Sequence, residues 1–334
     1  MPTDRLNRPL HDLRLSVIDA CNFRCQYCMP LAKFPALHPF LKRAEWLTRA
    51  EIQRLVAAFV ELGVRKVRLT GGEPLLRPDL ADIVSDLAAM EGVEDLAMVT
   101  NASHLARHAD RLRDAGLHRL TVSLDALDDA TLSRINGTQT EIQPILDGVS
   151  AAEAAGFGPI KFNAVVIRHV NDHAILDLAR FARERGHVMR FIEYMDVGTL
   201  NDWGPEHVVP GTEIAAQIGA VYPLEPIEAA YHGEVAARYR YLDGGGEIGL
   251  ITSVSQPFCG SCTRARVSAD GRLYTCLFAA DGLDLRTPLR AGASDEELLA
   301  IITRAWRRRE DRYSELRNEA TSHNPRVEMY QIGG

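Results

Sequence analysis

The sequence predicts an α/β protein: a partial (β/α)6 TIM-like barrel over residues 1–196, followed by a C-terminal extension over residues 197–334. Three observations lead there. Six apolar, strand-like runs alternate with helical segments, the pattern of parallel βα units. Several of the helical segments end on a glycine, at Gly116, Gly156 and Gly186, as helix C-termini tend to. After about Asp196 the alternation fails, and Gly, Pro and Tyr become frequent. Right-handed crossovers curl consecutive βα units into a barrel; eight units close it, and six leave it open. A flat doubly wound sheet is the alternative reading.

Residues 13–19 (LRLSVID) form the first strand-like run and lead into CNFRCQYC, Cys21 to Cys28. Residues 29–47 hold three prolines and little periodicity, which predicts a loop over the end of the strand. Thr48 and Glu51 make a T-x-x-E capping box, and Ile52, Leu55, Val56, Phe59 and Val60 share one helical face, which Gly63 ends. Further strands are expected at 66–70, 95–100, 119–125, 160–168 and 188–195, with helices near 78–90, 104–115, 140–155 and 173–185. In the extension a short helix is expected near 213–218 and a hairpin over 238–253, turning at Gly244–Gly246. Ser294 and Glu297 open a last helix. Its late run Arg307-Arg308-Arg309 reads as a solvated cationic face that suits the helix dipole.

Composition narrows the function. The 334 residues are 46% hydrophobic and 25% charged, ample for a large core. The net charge of −7 argues against a general nucleic-acid binder, though not against a polyphosphate ligand in a basic pocket. No apolar run approaches the roughly 18 residues that span a bilayer, so no membrane partner is expected. The N-terminal residues lack an apolar signal region, and six cysteines in two groups suit a reducing compartment, so a cytoplasmic location is expected.

The cysteines carry the chemistry. Cys21, Cys25 and Cys28 have C-x3-C-x2-C spacing on a loop after a strand. Thiolates that close are better soft-metal ligands than disulfide partners. Tetrahedral zinc normally takes four ligands, whereas a cubane iron–sulfur cluster held by three keeps one iron open. Cys259, Cys262 and Cys276 give C-x2-C-x13-C, a spacing that also suits a zinc knuckle; no further cysteine remains, and His232 is the one nearby candidate for a fourth ligand. In α/β folds functional residues gather at strand C-terminal ends, and Gly71-Gly72-Glu73, Thr100-Asn101, Ser123, Asp125 and Met195 fall there.

The first triad with Tyr27, and GGEP after the second strand, resemble the radical S-adenosylmethionine (SAM) enzymes. The second triad, the Thr-Arg-Ala-Arg segment at 263–266 and the final Gly333-Gly334 narrow the resemblance to the GTP 3′,8-cyclase family of molybdenum cofactor biosynthesis. Ile18 and Ala20 depart from that family's pattern, where a threonine and a basic residue are expected, and this bears on local hydrogen bonds near the first triad. The resemblance implies two [4Fe-4S] clusters, one on each triad, with SAM on the open iron of the first. It implies that Tyr27, Gly72, Ser123 and Met195 hold SAM, and that Arg14, Lys66, Arg68, Thr100, Lys161, Arg190, Arg264, Ala265 and Arg266 surround GTP. Arg264, Arg266, Gly333 and Gly334 would act in catalysis. The implied reaction is hydrogen abstraction from ribose C3′ by a 5′-deoxyadenosyl radical and closure onto guanine C8. A low-potential electron donor and a pyranopterin monophosphate synthase taking the product are implied partners. Oligomeric state is not legible, and a homodimer stays open. The rival readings are a peptide-modifying radical SAM enzyme, which would normally carry more C-terminal cysteines, and a zinc-stabilised nucleotide-binding module.

Overall fold

A computed structural model describes residues 1–317 and 325–333. Six parallel strands run in sequence order: β1 (Asp12–Ser16), β2 (Lys66–Thr70), β3 (Asp95–Thr100), β4 (Arg119–Ser123), β5 (Lys161–Val166) and β6 (Val188–Glu193). Between them lie α1 (Arg49–Glu61), α2 (Leu80–Ala88), α3 (Ala109–Asp114), α4 (Asp129–Asn136), α5 (Gln143–Ala154) and α6 (Ile175–Glu184). Consecutive strand order with crossovers of one hand places every helix on the same side of the sheet, which therefore curls. A doubly wound sheet reverses its order midway; this one does not.

Strand alternation then sorts the side chains. Leu13, Leu15, Val67, Leu69, Leu96, Met98, Leu120, Val122, Phe162, Ala164, Met189 and Phe191 are buried in one continuous core with residues of the helices. The opposite face carries Arg14, Arg68, Ser123, Asn163 and Arg190, all lining one cavity. α1 is capped as expected: Thr48 Oγ1 accepts from the Glu51 N–H and Glu51 reaches back to the Thr48 N–H.

The extension does more than follow the barrel. After α7 (Gly211–Gly219) come β7 (Leu224–Ile227), β8 (Ala237–Tyr241) and β9 (Glu247–Ile251), the last two forming the expected hairpin. β9 pairs parallel to β6. β10 (Arg264–Val267) pairs parallel to β1 at the other edge, followed by antiparallel β11 (Arg272–Tyr274) and β12 (Leu283–Asp284). Eight strands are thus parallel, within an open order β12-β11-β10-β1-β2-β3-β4-β5-β6-β9-β8-β7. The chain ends in α8 (Arg286–Arg290), α9 (Asp295–Arg307), α10 (Tyr313–Leu316) and one last turn, α11 (Met329–Ile332). Among the described residues no helix is long and apolar enough to cross a membrane.

Two details differ from expectation. α4 was not anticipated; it is short, and its cap, Asp128 accepting from the Thr131 N–H, leads directly from β4. Segment 104–115 is a 3-10 turn followed by α3 rather than one helix.

Candidate active site

All six cysteines line the same cavity of about 270 Å³ on the inner face of the sheet. The first triad leaves the C-terminal end of β1. Cys259 and Cys262 instead precede β10, and Cys276 follows antiparallel β11, so the second triad sits at the N-terminal end of the parallel strands. The C-terminal-end rule therefore places one triad and not the other.

Gly71 and Gly72 explain how the first triad is held. The Gly72 N–H donates to the Ile18 carbonyl (2.8 Å) and the Glu73 N–H to the Ala20 carbonyl (2.8 Å). A Cβ on Gly71 would overlap the Ile18 oxygen and one on Gly72 the Ala20 oxygen, so only glycine permits this approach. Since both acceptors are backbone carbonyls, the side chains of Ile18 and Ala20 are immaterial to these bonds. Glu73, 1% exposed, accepts from Thr100 Oγ1 (2.7 Å), the Asn101 N–H (2.8 Å) and the Leu75 N–H (3.1 Å), and burial pushes its carboxyl up to about 7. Thr100 is thereby fixed at the cavity wall. Tyr27 donates its phenol to Asp125 Oδ2 (2.9 Å), while Asp125 Oδ1 accepts from the Val165 N–H (2.8 Å). Burial raises Asp125 to about 6. Ser123 and Met195 line the same wall.

Each triad offers three thiols, soft ligands for a metal centre. Among the described residues no three His, Cys, Asp or Glu side chains converge as a one-metal site requires. Tetrahedral zinc would draw its sulfurs to about 2.3 Å from one point; cysteines on different irons of a cluster stand further apart. Burial pushes the Cys21 and Cys276 thiols up to about 12, whereas Cys262 lies at about 6 because Arg264 and Arg309 outweigh its burial.

Between the triads runs a cationic wall. Arg14 lies in register with Arg68 on one side and Arg266 on the other. Like charges directly opposite repel, and burying them costs more. Desolvation, followed by the neighbouring arginines, holds Arg14 well below its ordinary value, and burial lowers Arg68 as well and draws Arg190 and Arg266 to about 9. All keep their proton at neutral pH. Among the described residues Arg14 and Arg68 have no ion-pair partner, so the wall carries positive charge that no carboxylate pairs directly.

Other expected residues fall less directly into place. Lys66 borders an adjoining smaller pocket, where its Nζ donates to the Tyr231 hydroxyl (3.0 Å) beside Asp95 and Asp12. Lys161 shares the inward face of β5 with Asn163 and Val165, one step below the cavity lining, and burial and Arg190 lower it to about 8. Ala265 turns into the core on the opposite face, so only its backbone is near the wall. Arg264 directs Nη2 and Nε at Cys262 Sγ (3.2 and 3.4 Å). Arg266 Nη1 donates to the Gly333 and Ile332 carbonyls, so the tail reaches the cavity wall, with Gly333 (φ +69°) against Thr70. Gly334 lies outside the described residues. His232 is exposed. Arg309, read from sequence as part of a solvated face, is 4% exposed and touches Cys262, while Arg307 and Arg308 are exposed as expected.

An open parallel barrel with a three-cysteine loop after β1 and a glycine pair abutting it defines the radical SAM class. The family model of that superfamily matches residues 15–182, and the model "Molybdenum Cofactor Synthesis C" matches residues 187–315. A solved structure of Streptococcus suis SuiB bound to precursor peptide SuiA has the same fold, with a TM-score of 0.58 and 14% identity over 93% of this chain and 67% of that one. Relatives named GTP 3′,8-cyclase are far closer in sequence. The Acidothermus cellulolyticus protein is 56% identical over 94% of this chain and 88% of its own length. Those of Xanthomonas axonopodis pv. citri and Staphylococcus carnosus are 51% and 44% identical, each over 99% of this chain and 98% of their own length. The chain belongs to the GTP 3′,8-cyclase family.

Proposed function

We propose that this protein converts GTP to (8S)-3′,8-cyclo-7,8-dihydroguanosine 5′-triphosphate in molybdenum cofactor biosynthesis. The observation that carries the reading is the in-register arginine wall, Arg266–Arg14–Arg68, between two cysteine triads in one cavity. A buried polyanion satisfies that wall, and family membership names the polyanion.

Cys21, Cys25 and Cys28 would hold one [4Fe-4S] cluster and Cys259, Cys262 and Cys276 a second. With SAM bound, the first cluster would supply a 5′-deoxyadenosyl radical for abstraction of the C3′ hydrogen of GTP, and closure of C3′ onto C8 would then need one electron and one proton to give the 7,8-dihydro product. The chain's own residues position the reactants. Tyr27, Gly72, Ser123 and Met195 form the SAM end of the cavity, and Thr100, fixed by Glu73, borders the nucleotide. Arg14, Arg68, Arg190 and Arg266 take the triphosphate, where planar guanidinium forks match phosphate oxygens. Lys66 and Lys161 extend the positive field from below, and Ala265 serves as strand between the two arginines. The tail, with Tyr330 packed edge-on against Phe34, His38 and Phe40, closes the cavity against water and stray hydrogen donors. Residues 1–196 form the radical-generating core and 197–334 the auxiliary region; the two share one sheet. A low-potential electron donor reduces the enzyme, and a pyranopterin monophosphate synthase takes the product.

The test is anaerobically reconstituted protein with SAM, dithionite and GTP deuterated at C3′. We expect deuterium in 5′-deoxyadenosine and a cyclised nucleotide in the mass spectrum. Deuterium retained in the nucleotide, with 5′-deoxyadenosine formed, overturns the reading.

A further inference from the structure

Arg309 is the largest departure from what the sequence suggests. It lies just beyond α9, where neighbouring arginines are exposed, yet its side chain is 1% exposed. Its Nη2 donates to Cys262 Sγ (3.1 Å) and its Nη1 to the Cys262 carbonyl (2.7 Å). Nε donates to the Thr275 carbonyl (3.0 Å), beside Cys276. The guanidinium stacks over the buried Trp306 ring at 4.6 Å. All three nitrogens of the fork thus donate to the second triad or to the backbone beside it.

The N-terminal segment locks this arrangement. Asp4, with a fully buried side chain, accepts from Arg309 Nη1 (3.1 Å) and Arg8 Nε (2.6 Å). Arg8, 2% exposed, donates Nη1 to the Cys259 and Asp311 carbonyls (2.7 and 2.8 Å), and Trp306 Nε1 donates to the Arg8 carbonyl (3.1 Å). Arg8 lines the cavity, and its Nη2 is buried without a partner among the described residues. Two guanidinium groups with one carboxylate between them leave net positive charge beside three thiolates. Asp311, which accepts from Thr275 Oγ1 (2.6 Å) and lies 3.5 Å from Arg309 Nε, offsets that charge, and Arg264, whose Nη2 and Nε also point at Cys262 Sγ, restores it.

The first triad has the opposite surroundings. Carboxylates border it: Asp125 accepts the Tyr27 phenol, the Glu73 N–H donates to the Ala20 carbonyl next to Cys21, and both side chains line the cavity. Arg24, the cation near it among the described residues, gives its N–H groups to the Cys21, Phe23 and Phe34 carbonyls rather than to sulfur. Hydrogen bonds and positive charge at ligating sulfurs stabilise the reduced, more negative state of a cluster, and removing them lowers its potential.

We infer that Arg309, held by Asp4 and seconded by Arg8, is a positioning residue that sets the reduction potential of the second centre above that of the first. This rests on the two-cluster reading above. It gives the arginine a task that neither phosphate binding nor helix stability assigns to it: an electron entering the protein is shared between unequal centres, the low-potential one being that which meets SAM.

The experiment is a dithionite redox titration of the holoenzyme followed by electron paramagnetic resonance. Added SAM perturbs one signal and so assigns the first centre. In Arg309→Gln the one-electron reduction equilibrium of the second centre should fall about tenfold, a shift of ~59 mV, with the first centre unmoved. Arg309→Lys retains the cation and the Asp4 pairing but loses the fork, and should shift about half as far. It carries the test where the glutamine variant loses its second centre. Wild-type midpoints in fully loaded variants overturn the inference, as does an equal shift of both centres. Iron analysis separates the underlying reading: wild-type protein with about four rather than about eight irons per chain removes the second centre and the inference together.

Discussion

At the scale of single residues the site depends on atoms that are absent as much as on those present. Gly72 has no Cβ because the Ala20 carbonyl occupies that space. Gly72→Ala should therefore push the Glu73 loop off the cysteine loop and lose the first centre while keeping the second. An iron count that falls by about half, with SAM binding abolished, is the expected result; full iron content would count against the packing argument. Arg266 is the corresponding case among the charges. Charge-assisted hydrogen bonds contribute roughly 1.5–3 kcal/mol each, so Arg266→Ala should weaken GTP binding by about one to two orders of magnitude. Guanosine, lacking phosphates, should bind the wild type and the variant alike, and equal losses for both ligands would assign Arg266 to the fold instead. Glu73 adds a pH dependence. Its folded carboxyl stands at about 7 against 4.5 for the free group, so the native state binds more protons than the unfolded state in that window. Stability of the metal-free protein should accordingly fall as pH rises from about 4.5 to 7, by at most about 1.4 kcal/mol per pH unit from this group. Chemical denaturation across that range should give a flatter profile for Glu73→Gln.

At the scale of elements, what was legible in the sequence was what local chemistry decides. β2 and β3 were placed to the residue, because short β-branched and apolar runs between glycine or charged turns leave little freedom. The two capping boxes, Thr48 with Glu51 and Ser294 with Glu297, open α1 and α9 as written. Pairing was not legible. β9 and β10 read as a hairpin arm and a cysteine-flanked segment, yet they extend the parallel sheet at both edges, a choice made by strand edges far away in the chain. Arg309 was missed for a related reason: in a run of three arginines, only the turn after α9 decides which one faces inward. The tail is an element whose role is testable. α11 carries Gly333 to Arg266 and Thr70, and the positive φ there suits glycine, whereas an added Cβ would collide with Thr70 Oγ1. Gly333→Ala should thus lower cyclisation while SAM and GTP binding persist, as measured by turnover beside binding titrations. Unchanged turnover would return the tail to an ordinary frayed end.

At the scale of the whole molecule, the sheet separates the two cysteine triads by the length of a strand. The first triad stands at the C-terminal end of β1 and the second at the N-terminal end of its neighbour β10. Four residue steps along β1 span roughly 13 Å, and the in-register row Arg266–Arg14–Arg68 crosses the sheet midway, at the central residue of β1. On the proposed function, a nucleotide on that row would have one cysteine triad towards each end, and the two triads should fail differently when broken. Cys25→Ser removes a ligand beside Tyr27 and Asp125, where SAM is expected, and should abolish formation of 5′-deoxyadenosine. Cys276→Ser disturbs the far end, beyond Arg266, and should leave SAM cleavage measurable while no cyclised nucleotide forms. Quantifying 5′-deoxyadenosine and cyclised product in the same reactions separates the two. Equal loss of SAM cleavage in both variants, each still folded, would mean that the centres act as one unit, and that the interval between them is architecture rather than a division of labour.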